Sequence, residues 1–174
     1  GSAWPKILRQ GADFYMQPCW HPSGEKIAWV EWDHPHMPWD AGRVKLGEVG
    51  GMQVKLFEEH WIAGSEGNSA SQPCFSPDGK WLSYIIREGD WDHLVLYNIK
   101  RRTHKVIVAG SGFHLRLPEW VQGMRSYAWM HDSQRIVYTR YAFGRASLWC
   151  LDIRKTKSEP IETLEEAGNE ALAH

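Results

Sequence analysis

Apolar residues in this chain come in short runs bounded by turn residues, and no stretch shows a convincing helical period. Three runs are rich in aromatic and β-branched residues: Lys26-Ile27-Ala28-Trp29-Val30, Lys80-Trp81-Leu82-Ser83-Tyr84-Ile85 and Arg135-Ile136-Val137-Tyr138-Thr139. Such residues suit a pleated, packed surface, and the runs are apolar on both faces, as expected of strands covered on both sides. A further strand follows in each unit at 44–49, 94–99 and 148–153, and a fourth is expected at 53–57, 105–108 and near 160–162.

Each run is introduced by the same turn. Gln17-Pro18-Cys19-Trp20-His21-Pro22-Ser23-Gly24 is answered by Gln72-Pro73-Cys74-Phe75-Ser76-Pro77-Asp78-Gly79, and more weakly by Tyr127-Ala128-Trp129-Met130-His131-Asp132-Ser133. Gly24 to Gly79 is 55 residues and Gly79 to Ser133 is 54. Near-constant repeats of this length, each holding four short strands, predict an all-β fold built of β-propeller blades. Each blade is a four-stranded antiparallel meander. About three complete blades are expected, over 15–60, 70–109 and 125–163. Residues 5–10 read as the outer strand of a preceding blade, and 164–174 as the start of another blade or a short helix. A β-sandwich would not predict three copies of one turn-strand-strand pattern.

The phrase Gln72 to Lys80 resembles the blade repeat of TolB-like and prolyl-oligopeptidase-type propellers. Trp29-Val30-Glu31-Trp32-Asp33-His34-Pro35-His36-Met37-Pro38-Trp39-Asp40 is similar to a stretch in the N-terminal propeller of acylaminoacyl-peptidase and dipeptidyl-aminopeptidase-like serine peptidases of the S9 family. A second stretch, Pro118-Glu119-Trp120-Val121-Gln122-Gly123-Met124-Arg125-Ser126-Tyr127-Ala128, resembles a later loop and strand of the same propeller. The resemblance implies a propeller that restricts access to an α/β-hydrolase domain carrying a Ser-Asp-His triad. Neither Gly64-Ser65-Glu66-Gly67 nor Gly110-Ser111-Gly112 has the Gly-x-Ser-x-Gly spacing of that domain's nucleophile elbow. The chain is therefore read as noncatalytic, either a propeller segment of such a peptidase or a stand-alone TolB-like scaffold that binds protein or peptide.

Composition narrows the partners. With 20 Lys+Arg against 21 Asp+Glu and a net charge of −1, no bulk field draws in nucleic acid or a membrane surface. The apolar runs fall far short of the ~20 residues that a bilayer-spanning helix needs, and no secretory leader pattern opens the sequence. Cys19, Cys74 and Cys150 lie far apart, form no C-x-x-C pair and read as small, partly buried apolar side chains, which fits a reducing, cytoplasmic setting. No cofactor is expected. The expected partners are a hydrolase domain of a parent peptidase, a peptide, or a second copy of the chain. Three or four blades cannot close a ring, so two chains of about four blades are expected to form an eight-bladed homodimer.

Candidate contact residues come from spacing. Gly24 to Val44 is 20 residues, whereas Gly79 to Leu94 and Ser133 to Leu148 are 15 each, so the first blade carries an insertion at residues 34–40. In an up-and-down meander this loop leaves from the same face as the links to the next blades, at 61–70 and 112–125. Trp39, Trp61 and Trp120, with Asp40, Glu119 and Arg125, are expected to line a contact there with a hydrolase domain or a peptide; the competing reading packs these tryptophans blade against blade. His34 and His36 have the i, i+2 spacing of two metal ligands, but no third ligand lies near in sequence, so no metal site is assigned. Lys100-Arg101-Arg102 reads as a solvated hairpin, and Glu165-Glu166 as a solvated end.

Overall fold

The computed structural model describes residues 4–51 and 55–161. Its elements are β1 (Phe14–Trp20), β2 (Lys26–Trp32), α1 (Pro38–Ala41), β3 (Arg43–Gly50), β4 (Lys55–Ala63), β5 (Ala70–Phe75), β6 (Trp81–Glu88), β7 (Trp91–Asn98), β8 (Thr103–Ala109), β9 (Tyr127–Trp129), β10 (Arg135–Ala142), β11 (Arg145–Asp152) and β12 (Lys157–Pro160). They form three four-stranded sheets, β1-β2-β3-β4, β5-β6-β7-β8 and β9-β10-β11-β12, with antiparallel neighbours throughout. These are the three expected blades.

The repeated phrase makes the same turn three times. The N–H groups of His21, Ser76 and Met130 donate to the carbonyls of Lys26, Trp81 and Arg135, and those of Gly24, Gly79 and Ser133 donate back to His21, Ser76 and Met130. The residue closing each turn is left-handed, with φ of 74° at Gly24, 71° at Gly79 and 55° at Ser133. A Cβ on Gly79 would also stand 2.4 Å from His21 Nε2, the ring nitrogen that contacts the Gly79 carbonyl. Gly79→Val should therefore cost roughly 2 kcal/mol or more. His36→Ala, on an exposed loop, should stay within about 0.5 kcal/mol. Thermal melts of the two variants, read against the parent chain, give the order; the reverse order would undo the repeat alignment.

Blades pack face to face, and the two faces of each blade differ chemically. Ala28, Val30, Val44, Leu46 and Ile62 of the first blade meet Leu82, Tyr84, Val95 and Tyr97 of the second. On its other side the second blade presents Ile85, Leu94, Leu96 and Ile107 to Tyr127, Ile136, Tyr138 and Leu151 of the third. The alternation Tyr84/Ile85 thus sends an aromatic ring one way and an aliphatic side chain the other, as strand geometry requires. On the free side of the first blade, Ile27, Trp29 and Val49 form a small cluster of their own with Tyr15 and Leu56.

The first strands of the blades are joined most closely. β1 and β5 each carry a bulge, between Met16 and Cys19 and between Ser71 and Cys74, and in each the glutamine is left-handed, with φ of 51° at Gln17 and 57° at Gln72. A bulge turns its own side chain and N–H out of the sheet ladder. Gln17 Oε1 accepts the Gln72 N–H at 2.6 Å, and Gln72 Oε1 accepts the Ser126 N–H at 2.8 Å. The Gln-Pro-Cys phrase is thus a blade-to-blade connector.

Three sequence expectations need correction. Residues 5–10 form no strand, because no sheet precedes β1 among the described residues to pair with them; instead Arg9 reaches across the first blade to Glu31 and Glu59. The fourth strand of the first blade continues through Ala63, so Trp61 belongs to β4 rather than to a connecting loop. The last strand lies at Lys157–Pro160, starting three residues ahead of the stretch expected near 160–162 and sharing Pro160 with it. Gln53, Val54, the blade end at 162–163 and the stretch 164–174 lie outside the described residues.

Candidate functional site

The insertion in the first blade is an ordered excursion. Pro38 opens the single turn of α1, where a missing N–H costs nothing, and the Asp40 carboxylate accepts the Met37 N–H at 3.3 Å. At the base of the excursion, a hydrogen bond from Arg43 to Asp33 holds that carboxyl below the usual carboxylate range. Gly42 ends the excursion; a Cβ there would lie 2.6 Å from the Pro38 carbonyl and 2.8 Å from that of Ala70, so no larger residue fits without backbone movement. The excursion is fastened to the link into the second blade. Ser69 Oγ donates to the Pro38 carbonyl at 2.6 Å, the Gly67 N–H to Asp40 at 2.9 Å and the Ala70 N–H to Gly42 at 2.8 Å.

The link from β8 to β9, residues 110–126, covers the same face. Its middle is anchored by ion pairs that the sequence did not reveal. Arg116, with its side chain 2% exposed, reaches Asp92 at 3.3 Å and Glu119 at 3.3 Å, both carboxylates being fully buried. Ser71 Oγ donates to Glu119 at 2.7 Å and accepts from Arg116 at 2.7 Å, while Gln72 Nε2 donates to Glu119 at 3.2 Å. Arg87, His114 and the Leu115 N–H complete the surroundings of Asp92. Each buried charge is paired and hydrogen-bonded, the condition under which burial is tolerated.

Beyond this anchor the link turns towards the first blade. Gln122 Oε1 accepts the Gln17 N–H at 3.0 Å, Gln122 Nε2 donates to the Tyr15 carbonyl at 3.0 Å, and Gln17 Nε2 donates to Met124 O at 3.3 Å. A closed circuit results: Gln122 holds Gln17, Gln17 holds Gln72, Gln72 holds Ser126, and Ser126 is four residues from Gln122 on the same link.

The expected contact residues part company in this structure. Trp39 and Trp120 do come together, with ring centroids 4.4 Å apart at an interplanar angle of 58°. Trp120 and Val121 remain 71% and 62% exposed, next to a solvent-facing Asp40. Trp61 stands elsewhere, its Nε1 donating to the Ala63 and Gly64 carbonyls and its ring lying under Lys45 Nζ at 4.9 Å. Glu119 is corrected from a contact residue to an internal anchor, since its carboxylate is spent on Arg116, Ser71 and Gln72. Arg125 donates to the Pro73 carbonyl at 2.8 Å and braces β5. His36 Nε2 lies 3.8 Å from the exposed Glu66 carboxylate, and the His34 N–H donates to Asp13. No group of three metal-ligating side chains forms among the described residues.

Burial pushes the Cys19 thiol up to about 12, with Cys74 nearby and likewise raised by burial, so neither supplies thiolate near neutral pH. His21 Nδ1 lies 2.9 Å from Ser23 Oγ, but both sit in the β1–β2 turn, at the end of the blades away from the links, where the ring also braces Gly79. What the loop face does present is a tryptophan pair, exposed apolar side chains and a strap fastened to β1. No helix among the described residues is long and apolar enough to cross a membrane.

Neither a protein-family model nor a curated protein matches the chain. Solved structures do. A puromycin-hydrolyzing peptidase of Mycobacterium tuberculosis superposes with a TM-score of 0.82 at 24% identity, over 91% of this chain and 23% of that one. TolB from Acinetobacter baumannii gives 0.56 at 16% identity, over 80% of this chain and 31% of that one. The acylaminoacyl peptidase of Pyrococcus horikoshii gives 0.53 at 14% identity, over 86% of this chain and 24% of that one. The chain spans under a quarter of the length of the puromycin-hydrolyzing peptidase. At these identities the likeness is one of fold, and the chain consists of β-propeller blades.

Proposed function

We propose that the chain is part of the N-terminal propeller of an S9-type serine peptidase, a noncatalytic element that restricts access to a hydrolase active site carried elsewhere in the parent polypeptide. The observation that carries this reading is the superposition with the puromycin-hydrolyzing peptidase, a TM-score of 0.82 against 0.56 for TolB. It is supported by the two stretches that resemble S9 propellers, 29–40 and 118–128, which form the excursion and the strap of one face. A loop face with an exposed tryptophan pair suits contact with a hydrolase domain or with a peptide on its way to one. The free, half-buried thiols suit a cytoplasmic enzyme.

The parental reading frame tests the proposal. A Gly-x-Ser-x-Gly motif followed by Asp and His downstream of His174 supports it. A stop codon there overturns it in favour of a stand-alone scaffold, with a second copy covering the free faces of the outer blades. In the parent enzyme, deleting the exposed ring in Trp120→Ala should raise kcat/KM for long peptides while leaving a single-residue amide unchanged. The purified chain by itself should hydrolyse no aminoacyl or acylaminoacyl amide, and saturable turnover blocked by a serine-directed reagent would count against the noncatalytic role.

A further inference from the structure

The end of the blades away from the links carries a charge pattern that the chain's overall balance hides. In the sequence Lys100-Arg101 is only a short basic turn, and Arg154 is remote from it. The fold brings them to one place. Lys105 stands on β8, the outer strand of the second blade, and its Nζ donates at 3.2 Å to Thr156 Oγ1 in the β11–β12 turn of the third. Lys105 and Arg154 there line one cleft of about 720 Å³, together with Lys80, Trp81, His131 and Asp132. A second cleft of about 490 Å³ adjoins it, sharing Lys80 and Trp81 and reaching Lys100 and Arg101. The two make one groove over the turn end of the second blade and its join to the third. Both blades that wall it are complete four-stranded sheets already packed against each other, so neither wall is a blade face awaiting a neighbour.

The groove is positive on balance. Asp78 is paired with Lys80 at 2.8 Å, and Asp132 with Arg135 at 2.6 Å. Asp152 accepts the N–H groups of Arg154 and Lys155 at 2.9 and 3.1 Å, and so sets one negative charge against Lys155. Lys100, Arg101, Lys105 and Arg154 are all exposed, and among the described residues none of them has a carboxylate within ion-pair distance. Like charges along one groove repel, and a bound anion turns that repulsion into attraction.

The arrangement selects the kind of anion. The four cations are divided between two clefts, which suits an elongated ligand with spaced charges better than a compact phosphate. Asp78 and Asp132 interrupt the positive wall. A nucleic-acid strand carries a charge at every residue and would meet them, whereas a peptide can place neutral residues there and donate its backbone N–H groups to them. The indole of Trp81 is packed into the core between the second and third blades and does not stand free as a platform for a base.

We propose that this groove is a docking site for an extended acidic peptide segment of a partner protein, with its carboxylates meeting Lys100 and Arg101 in one cleft and Lys105 and Arg154 in the other. No hydrolase domain takes part, so the proposal stands or falls separately from the parent-enzyme reading.

The test uses the full chain and a fluorescein-labelled decapeptide of alternating glutamate and glycine, read by fluorescence anisotropy at low ionic strength. The parent chain should bind it saturably, and added salt should weaken the binding, because exposed charges are screened. Replacing Lys105 and Arg154 together by glutamine should lower affinity at least about fivefold, and so should replacing Lys100 and Arg101, each double variant removing two exposed charge pairs. Lys105→Arg with Arg154→Lys, which keeps the charges, should restore binding. Arg145→Gln removes an exposed cation at the other end of the third blade and should leave affinity unchanged, which separates a local site from the effect of net charge. All these positions are exposed, so the variants are expected to melt with the parent chain. No saturable binding, equal losses from Arg145→Gln and the groove variants, equal affinity for the same peptide with glutamine in place of glutamate, or tighter binding of a labelled ten-nucleotide single strand than of the peptide overturns the proposal.

Discussion

Arg116→Met is expected to lower the unfolding free energy by about 3–5 kcal/mol, the cost of removing one partner from a buried ionic network. The substitution keeps most of the side-chain volume but leaves the carboxylates of Asp92 and Glu119, both fully buried, without the guanidinium that lies between them. Asp92 keeps Arg87 and the Leu115 N–H, and Glu119 keeps Ser71 and Gln72, so the loss is smaller than stripping two bare charges. For a domain of this size the change corresponds to a fall of roughly 10 °C in Tm. A charge effect is separable from a packing effect by adding Glu119→Gln to Arg116→Met, which should recover part of the loss, since a neutral amide tolerates that site better than an unpaired carboxylate. Circular dichroism melts of the single and double variants decide it. A loss under about 1 kcal/mol, or a double variant less stable than the single one, would show that the network contributes packing and not charge pairing.

The second large effect is expected from Gln72→Leu. Leucine matches the glutamine closely in volume and is itself at home in a core, so the transfer of apolar surface favours the variant. Against this, the Ser126 N–H loses its acceptor at 2.8 Å, the Ser126 hydroxyl loses the same oxygen, and Glu119 loses a donor, all in a buried setting. An unsatisfied buried polar group costs about 1–3 kcal/mol, so the net loss should be about 2–4 kcal/mol, despite the added hydrophobicity. The position also sets a conformational cost: Gln72 is left-handed at φ 57°, a region that a γ-branched side chain with no local hydrogen bond occupies less readily. Chemical denaturation, with the slope of the transition compared between variants, measures the loss. A variant as stable as the parent would mean that the glutamine circuit adds no stability to the join between blades.

Both residues show how far the sequence carries. Gln72 stands in a repeated phrase, so its importance was visible, yet the phrase did not say that its side chain would leave its own blade. That depends on the bulge, which rotates one residue out of the ladder and is created by pairing with β6. Arg116 carried no signal at all. It lies in an irregular link, among mixed charges, and its partner Asp92 is 24 residues earlier at the start of β7. Glu119, immediately before an exposed tryptophan, was expected to face outwards with it, and the structure turns the two in opposite directions.

The pairing of Trp39 with Trp120 was legible as a shared face, because meander topology fixes which loops leave together. Trp61 was misplaced by the same reasoning, since the length of β4 follows from its pairing with β3 rather than from its own composition. Strand-forming composition, turn chemistry and a period of 54 or 55 residues are local or periodic properties, so the sequence by itself determined the blades, their number among the described residues and their order. Which polar groups meet across blades was decided only by the tertiary structure. Hydrogen bonds and ion pairs between residues as far apart as Gln17 and Gln122 depend on ångström-scale positions, and those exist only once the sheets have stacked and the bulges have turned their side chains towards one another.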